Sequence, residues 1–139
     1  MKGPGETYHT GMNTCCRVLA ALLLILSSAT ADEPKISHVD GKQAVRLVAE
    51  KKVLVIDVRS PQEYGLAHIE GAKNIDFNGK DFETRLKELD KKQPVLVHCA
   101  SGGRSTKSLS TFQKLGFEKV IHLDGGFNAY DEAREAAAR

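Results

Sequence analysis

The chain has 139 residues, 41% of them hydrophobic and 27% charged, and its 20 Lys and Arg residues against 18 Asp and Glu residues give a net charge of +2. This composition is typical of one soluble domain, and it excludes a low-complexity disordered chain and a membrane protein with several spans. So small a net charge gives no electrostatic reason to expect nucleic acid or a charged surface as a partner.

The first 31 residues have the pattern of an export signal. Nine apolar residues without a break, VLAALLLIL at 18–26, follow an arginine and precede the small residues Ala-Thr-Ala at 29–31. A stable membrane span needs about 20 apolar residues, so this run is too short for one, and a buried core helix is the competing interpretation. We expect a signal peptide over 1–31, with Met12 as an alternative start, and a periplasmic or secreted domain over 32–139.

The cysteines limit the covalent chemistry. Cys15 and Cys16 precede the expected cleavage site, so the mature domain keeps Cys99 alone, which excludes a disulfide framework. We also expect no metal site, because one cysteine and scattered histidines lack paired ligand spacing, and neither His38 nor His122 has a partner at such a spacing.

Strand and helix patterns alternate through the expected domain. Short β-branched and aliphatic runs predict strands, in chain order, at 35–39, 53–58, 72–76, 94–98 and 119–123. Helix patterns follow each of them, at 44–52, from 61, at 81–90, at 104–115 and from 127 onward. This alternation indicates an α/β fold with a mainly parallel sheet.

Two of the helices have clear start signals. Asp40 followed by Gln43 predicts a capping box. In the sequence Ser60-Pro61-Gln62-Glu63, a capping residue, a first-turn proline and a carboxylate at the third helical position stand in order. The first cap precedes the helix pattern at 44–52, and the second precedes the helix from 61.

Cys99 lies where such a fold binds its ligand. Ligands bind at the carboxyl ends of parallel strands, and Cys99 follows the strand at 94–98 directly. A helix N-terminus and the cation of Arg104 both favour the thiolate, and Gly102 and Gly103 let backbone N–H groups curl around an anion. We predict that Cys99 is a nucleophile. The alternative is an inert buried cysteine at the end of a strand.

Several segments between residues 35 and 132 resemble the rhodanese-like sulfurtransferases. The segments are DVR at 57–59, EY at 63–64, HIEGAKNI at 68–75, CASGGRS at 99–105 and LDGGF at 123–127. The sequence departs from the family pattern at Ala67, where glycine is usual, and at Phe127 and Tyr130, where tryptophan is commoner.

The resemblance implies a single rhodanese-like domain with a central five-stranded parallel sheet flanked by helices. It implies that Cys99 is catalytic, taking the outer sulfur of a donor such as thiosulfate as a persulfide and passing it to cyanide or a thiol. A protein thiol is a further candidate acceptor, and no metal or organic cofactor is implied. The residues expected to bind the substrate are Ala100, Ser101, Gly102, Gly103, Arg104 and Ser105.

The other conspicuous polar residues are expected to support this loop. Asp57, Arg59 and Glu63 are predicted to form a structural cluster beneath it. His68 is expected to pack and hydrogen-bond rather than act as a general base, because a preformed thiolate does not require one. Strand alternation turns the side chain of His98 away from that of Cys99.

Two other functions are compatible with the sequence. A cysteine-dependent phosphatase or arsenate reductase also combines His-Cys, a glycine-bearing loop and Arg-Ser. Such enzymes usually place five residues between cysteine and arginine, whereas this chain has the four residues 100–103. The second alternative is a non-catalytic module that binds a partner or carries sulfur without turnover.

Overall fold

A parallel sheet with helices on both faces forms the part of the chain that the structure describes. The structure is a computed structural model, and residues 35–139 are described. In chain order the elements are β1 (Lys35–Val39), α1 (Gly41–Ala49), β2 (Leu54–Asp57), α2 (Pro61–Leu66), β3 (Lys73–Asn74), α3 (Phe82–Lys87), β4 (Val95–His98), α4 (Gly103–Lys114), β5 (Lys119–Leu123) and α5 (Gly126–Ala137).

The five strands lie in the order β1-β5-β4-β2-β3, and every neighbouring pair is parallel. The predicted α/β class and five-stranded parallel sheet are therefore confirmed. Strands β1 and β5 have the predicted bounds, while β3 is reduced to two residues. Because β4 lies at the centre of the sheet, the loop that follows it is flanked by strand ends on both sides.

Apolar side chains fill both faces of the sheet. One core cluster joins Val95, Val97 and Cys99 of the β4 segment to Leu86 of α3 and Phe112 of α4. A second cluster lies on the opposite face and contains Ala44, Ile69, Leu96, Ile121 and Tyr130. Alternation along β4 thus places Cys99 on the face covered by α3 and α4.

Both predicted capping boxes are present. The Asp40 side chain accepts from the Gln43 backbone N–H at 2.8 Å, and the Gln43 side chain accepts in return from the Asp40 backbone. Ser60 and Glu63 exchange the same pair of contacts at the start of α2. These local signals are confirmed because a cap depends on only four consecutive residues.

The expected signal peptide at 1–31 lies outside the described residues. Among the helices of residues 35–139, none has the length and apolar character to cross a membrane.

Candidate active site

The backbone after β4 folds tightly around the sulfur of Cys99. The residue is buried, and the N–H of Gly102 donates to its Sγ at 3.1 Å. Gly102 has a φ of 110° and is the N-cap of α4, which begins at Gly103. A left-handed backbone of this kind is accessible to glycine without a Cβ clash. The turn at Gly102 therefore aims the first N–H groups of α4 at the sulfur.

The surroundings of Cys99 favour its thiolate. Burial acts to raise the pKa of the thiol, but hydrogen bonds to the sulfur outweigh it, and the pKa lies below its ordinary value. The donors are the Ser105 hydroxyl and the backbone N–H groups of Ser101, Gly102 and Ser105. A thiolate is the nucleophilic form of cysteine, so this loop can activate the sulfur without a metal.

The start of α5 fixes the same loop through hydrogen bonds to its carbonyl groups. The N–H of Phe127 donates to the carbonyl of Cys99 at 2.8 Å, and the N–H of Asn128 donates to that of Ala100 at 3.1 Å. Gly126 lies so close that a Cβ there would be 2.5 Å from the Cys99 carbonyl oxygen. The loop is thereby fixed by two helix N-termini. That of α4 contacts the Cys99 sulfur, and that of α5 contacts the carbonyls of Cys99 and Ala100.

Arg104 pairs with Glu63 across the gap between α4 and α2. Its two terminal nitrogens donate to the two carboxylate oxygens, each at 2.7 Å. Arg104 holds the pKa of Glu63 down at about 2. In turn Glu63 raises the pKa of Arg104 above its usual value, and the Cys99 sulfur adds to that effect. The predicted cluster of Asp57, Arg59 and Glu63 is therefore divided, because Glu63 binds Arg104 instead.

Asp57 and Arg59 form a buried pair at the end of β2. The Arg59 guanidinium donates to Asp57 at 2.7 Å and to the carbonyl of Ala67 at 2.7 Å. It also lies over the Phe127 ring, 4.3 Å from the centroid. Since Phe127 donates its backbone N–H to Cys99, this pair supports the reactive loop through α5.

The two remaining predicted histidines contact backbone carbonyl groups. His68 is exposed, with its ring stacked on Tyr64 and its Nδ1 2.9 Å from the Tyr64 carbonyl oxygen. His98 is buried, its Nδ1 lies 3.0 Å from the Cys99 carbonyl oxygen, and its ring stacks against Phe127. Burial lowers the pKa of His98, which favours the neutral ring.

The sequence of residues 40–133 matches the rhodanese-like domain model. The chain belongs to the rhodanese-like domain family. The segments at 57–59, 99–105 and 123–127 that carry the resemblance meet in the structure, because Arg59, Cys99 and Phe127 contact one another in series.

Two curated proteins are similar in sequence to this chain over about 100 residues. A GlpE thiosulfate sulfurtransferase of Shewanella oneidensis is 31% identical over 96 residues, covering 69% of this chain and 93% of that protein. A tRNA uridine(34) hydroxylase of Pelagibacter ubique is 33% identical over 104 residues, which cover 74% of this chain. The chain spans only 35% of that hydroxylase.

A solved rhodanese structure shares the fold. The rhodanese-related protein of Thermoplasma volcanium aligns with a TM-score of 0.62 and 24% identity, covering 69% of this chain and 91% of that one. At this identity the likeness concerns the fold alone.

One group beside the rhodanese loop was missed by the sequence analysis. His38, His122 and Asp124 have ligand-type atoms within 4.8 Å of one another, so the expectation that the two histidines lack partners is wrong. The parallel pairing of β1 with β5 places His38 opposite His122. Three such residues could hold a metal, but both Nδ1 atoms already hydrogen-bond to Asp124 Oδ1, at 2.9 and 2.8 Å, and we assign no metal there.

Proposed function

We propose that this rhodanese-like protein is a sulfurtransferase that carries sulfur as a persulfide on Cys99. The observation that carries the proposal is the cradle of donors around the sulfur, with the Gly102 N–H at 3.1 Å and the Ser105 hydroxyl at 3.5 Å. These groups stabilise the thiolate at Sγ, and the same donors can then hold the anionic terminal sulfur that is bonded to Sγ in the persulfide.

The reaction has two displacement steps. The Cys99 thiolate attacks the outer sulfur of thiosulfate, the bond between that sulfur and the sulfonate group breaks, and sulfite leaves with the electron pair. Cyanide or a thiolate then attacks the terminal sulfur of the persulfide, and the electron pair of the S–S bond returns to Cys99. Covalent catalysis of this kind gives ping-pong kinetics.

The donors around Cys99 favour this proposal over the phosphatase alternative. A phosphate needs a donor for each of several oxygens. Here the donors to Cys99 Sγ are the Ser105 hydroxyl and the backbone N–H groups of Ser101, Gly102 and Ser105. Donors directed at one atom suit a single sulfur better than a tetrahedral oxyanion.

The decisive experiment measures thiocyanate formed from thiosulfate and cyanide by the wild type and by Cys99→Ser. We expect activity in the wild type and background in the variant. The matched control is the double variant Cys15→Ser and Cys16→Ser, which should keep full activity. Equal activity of wild type and Cys99→Ser would overturn the proposal, and faster hydrolysis of an aryl phosphate would replace it with the phosphatase function.

We also propose that the protein acts in the periplasm or outside the cell. The support is the apolar run at 18–26 followed by Ala-Thr-Ala at 29–31. Residues 1–40 fused to a reporter that works only after export should give activity, and the mature chain should begin at Asp32. An intact N-terminus on the native protein, together with a silent reporter, would contradict export.

A further inference from the structure

A chain of hydrogen bonds leads from the Cys99 sulfur to the protein surface. Ser105 Oγ lies 3.5 Å from Cys99 Sγ and 2.9 Å from His122 Nε2. On the other side of the ring, His122 Nδ1 lies 2.8 Å from Asp124 Oδ1. Ser105 and His122 are buried, while Asp124 is exposed. The buried thiol is thus connected through one hydroxyl to an imidazole, and through that to a carboxylate in solvent.

The Asp124 carboxylate determines the direction of donation along these hydrogen bonds. Hydrogen bonds from His38 and His122 keep the pKa of Asp124 below its usual range, so the group is ionised at neutral pH. An ionised carboxylate only accepts, and Nδ1 of His122 must therefore carry the hydrogen. In the neutral ring Nε2 is then a bare acceptor facing the Ser105 hydroxyl. This is the orientation in which a third group holds a histidine ready to take a proton.

We propose that His122, acting through Ser105, receives the proton of the Cys99 thiol, with Asp124 holding the ring in the required tautomer. The S–H bond breaks and its proton passes to Ser105 Oγ, which gives its own hydroxyl proton to His122 Nε2. Ser105 ends neutral with its new O–H directed at the sulfur. The products are a thiolate and an imidazolium, and no oxidant or further reactant is needed.

Charged and polar groups face His122 from several elements. The Asp124 carboxylate contacts its Nδ1 at 2.8 Å. On β1 the neighbouring His38 binds the same carboxylate oxygen at 2.9 Å, so a charge on His38 would oppose a charge on His122. From α4 the Ser105 and Thr106 hydroxyls face Nε2, and from β4 the residue in register is the apolar Val97. Arg104, the charged residue of the first turn of α4, is bound to Glu63.

This inference deepens the proposed function and rests on it for its biological role, but its test does not require sulfur transfer. The full-length chain is alkylated with iodoacetamide across a range of pH, and the rate is read on the peptide that contains Cys99. In His122→Gln an amide replaces the imidazole and cannot take a proton. We expect the midpoint of its profile to move to higher pH by about one unit, with alkylation about tenfold slower below both midpoints.

Three further variants separate proton transfer from a structural effect. His38→Gln should shift the midpoint less than His122→Gln, since His38 contacts Asp124 and not Ser105. Ser105→Ala removes both a donor to the sulfur and the link to His122, so it should shift the midpoint at least as far as His122→Gln does. The double variant Ser105→Ala with His122→Gln should shift it no further than Ser105→Ala alone, because the two residues act in one chain. Asp124→Asn gives a second route to the same shift if His122→Gln fails to fold.

Thermal unfolding identifies the variants that are folded. A folded His122→Gln, or failing that a folded Asp124→Asn, with the wild-type alkylation profile would overturn the inference, as would additive effects of Ser105→Ala and His122→Gln. If sulfurtransferase activity is absent but the pH profile of Cys99 alkylation depends on His122, the proposed function is wrong and this inference stands.

Discussion

Arg104 and Glu63 face each other edge to edge, and their two hydrogen bonds of 2.7 Å tie the first turn of α4 to the first turn of α2. The same carboxylate accepts from the backbone N–H of Ser60 at the start of α2. One side chain therefore caps a helix, neutralises an arginine and steadies the helix from which the sulfur receives its donors.

Replacing Glu63 by Gln should lower the stability of the domain by about 1 kcal/mol, since the pair is partly exposed and solvent weakens it. Because the folded pKa of about 2 lies below the usual 4.5, the pair stabilises the protein above pH 4.5. That contribution is lost as pH falls toward 2. Urea unfolding of wild type and variant at several pH values should show their difference shrinking in acid.

The control for this change is Glu83→Gln, which removes a half-buried carboxylate that pairs with Lys87 of α3 at 3.1 Å and with Lys114 at the end of α4 at 3.6 Å. It should leave the sulfurtransferase rate unchanged, whereas Glu63→Gln frees Arg104 beside the loop and should alter it. Identical rates and stabilities for the two variants would contradict a special role for Glu63.

Gly126→Ala should disrupt the reactive loop. The new methyl group would lie 2.5 Å from the carbonyl oxygen of Cys99 and 2.6 Å from that of Ala100, and the φ of 62° is itself unfavourable for alanine. Overpacking of this kind costs about 1–3 kcal/mol in addition to the backbone strain. We expect lower stability together with a large loss of thiocyanate formation.

Gly116→Ala tests the effect of backbone strain without a steric clash. Gly116 has a φ of 78°, but a Cβ there meets nothing within 4 Å. The variant should lose about 1 kcal/mol and keep the activity of its folded fraction. If both variants lose stability equally and both remain active, the close approach of α5 to the loop does not matter for function.

Asp57→Asn should be among the most destabilising single changes in the domain. It leaves the Arg59 guanidinium buried without its countercharge, and breaking a buried pair in this way costs about 3–5 kcal/mol. The exposed pair of Arg85 with Asp81, 3.9 Å apart, provides the comparison. Asp81→Asn should change the free energy of unfolding by less than about 1 kcal/mol. Chemical denaturation of both variants checks this, and a similar small loss in each would contradict the supporting role of Asp57.

Loop length should decide between sulfur transfer and phosphate chemistry. Inserting one glycine between Gly102 and Gly103 widens the ring of donors, and donors displaced by about 1 Å can lose on the order of 10²-fold in rate. We expect a sharp fall in thiocyanate formation. Insertion of a glycine between Lys92 and Gln93, in a turn away from the site, should leave the rate near that of the wild type. Undiminished sulfur transfer after the first insertion would show that the tight loop is not required.

The features predicted correctly from the sequence are those that depend on neighbouring residues. The capping boxes at Asp40 and Ser60 each involve four consecutive positions, and the strands β1 and β5 follow from short aliphatic runs. The position of Cys99 directly after a strand follows from the same patterns, together with the general placement of ligand sites in α/β folds.

The contacts that the sequence does not reveal join distant segments. Glu63 and Arg104 are 41 positions apart, and both Arg59 and Arg104 were available as partners for that carboxylate. His38 meets Asp124 across 86 positions, because β1 joins the sheet beside the last strand and not beside β2. Strand order determines such meetings, and hydrophobic periodicity carries no information about it.

The donors that Phe127 and Asn128 give to the Cys99 and Ala100 carbonyls have a consequence for the newly made chain. The cysteine leaves the ribosome before the residues that fix its loop have been synthesised. Until residues 126–128 emerge and α5 docks, the carbonyls of Cys99 and Ala100 lack these two donors. The loop around the nucleophile is therefore fixed only at a late stage of folding.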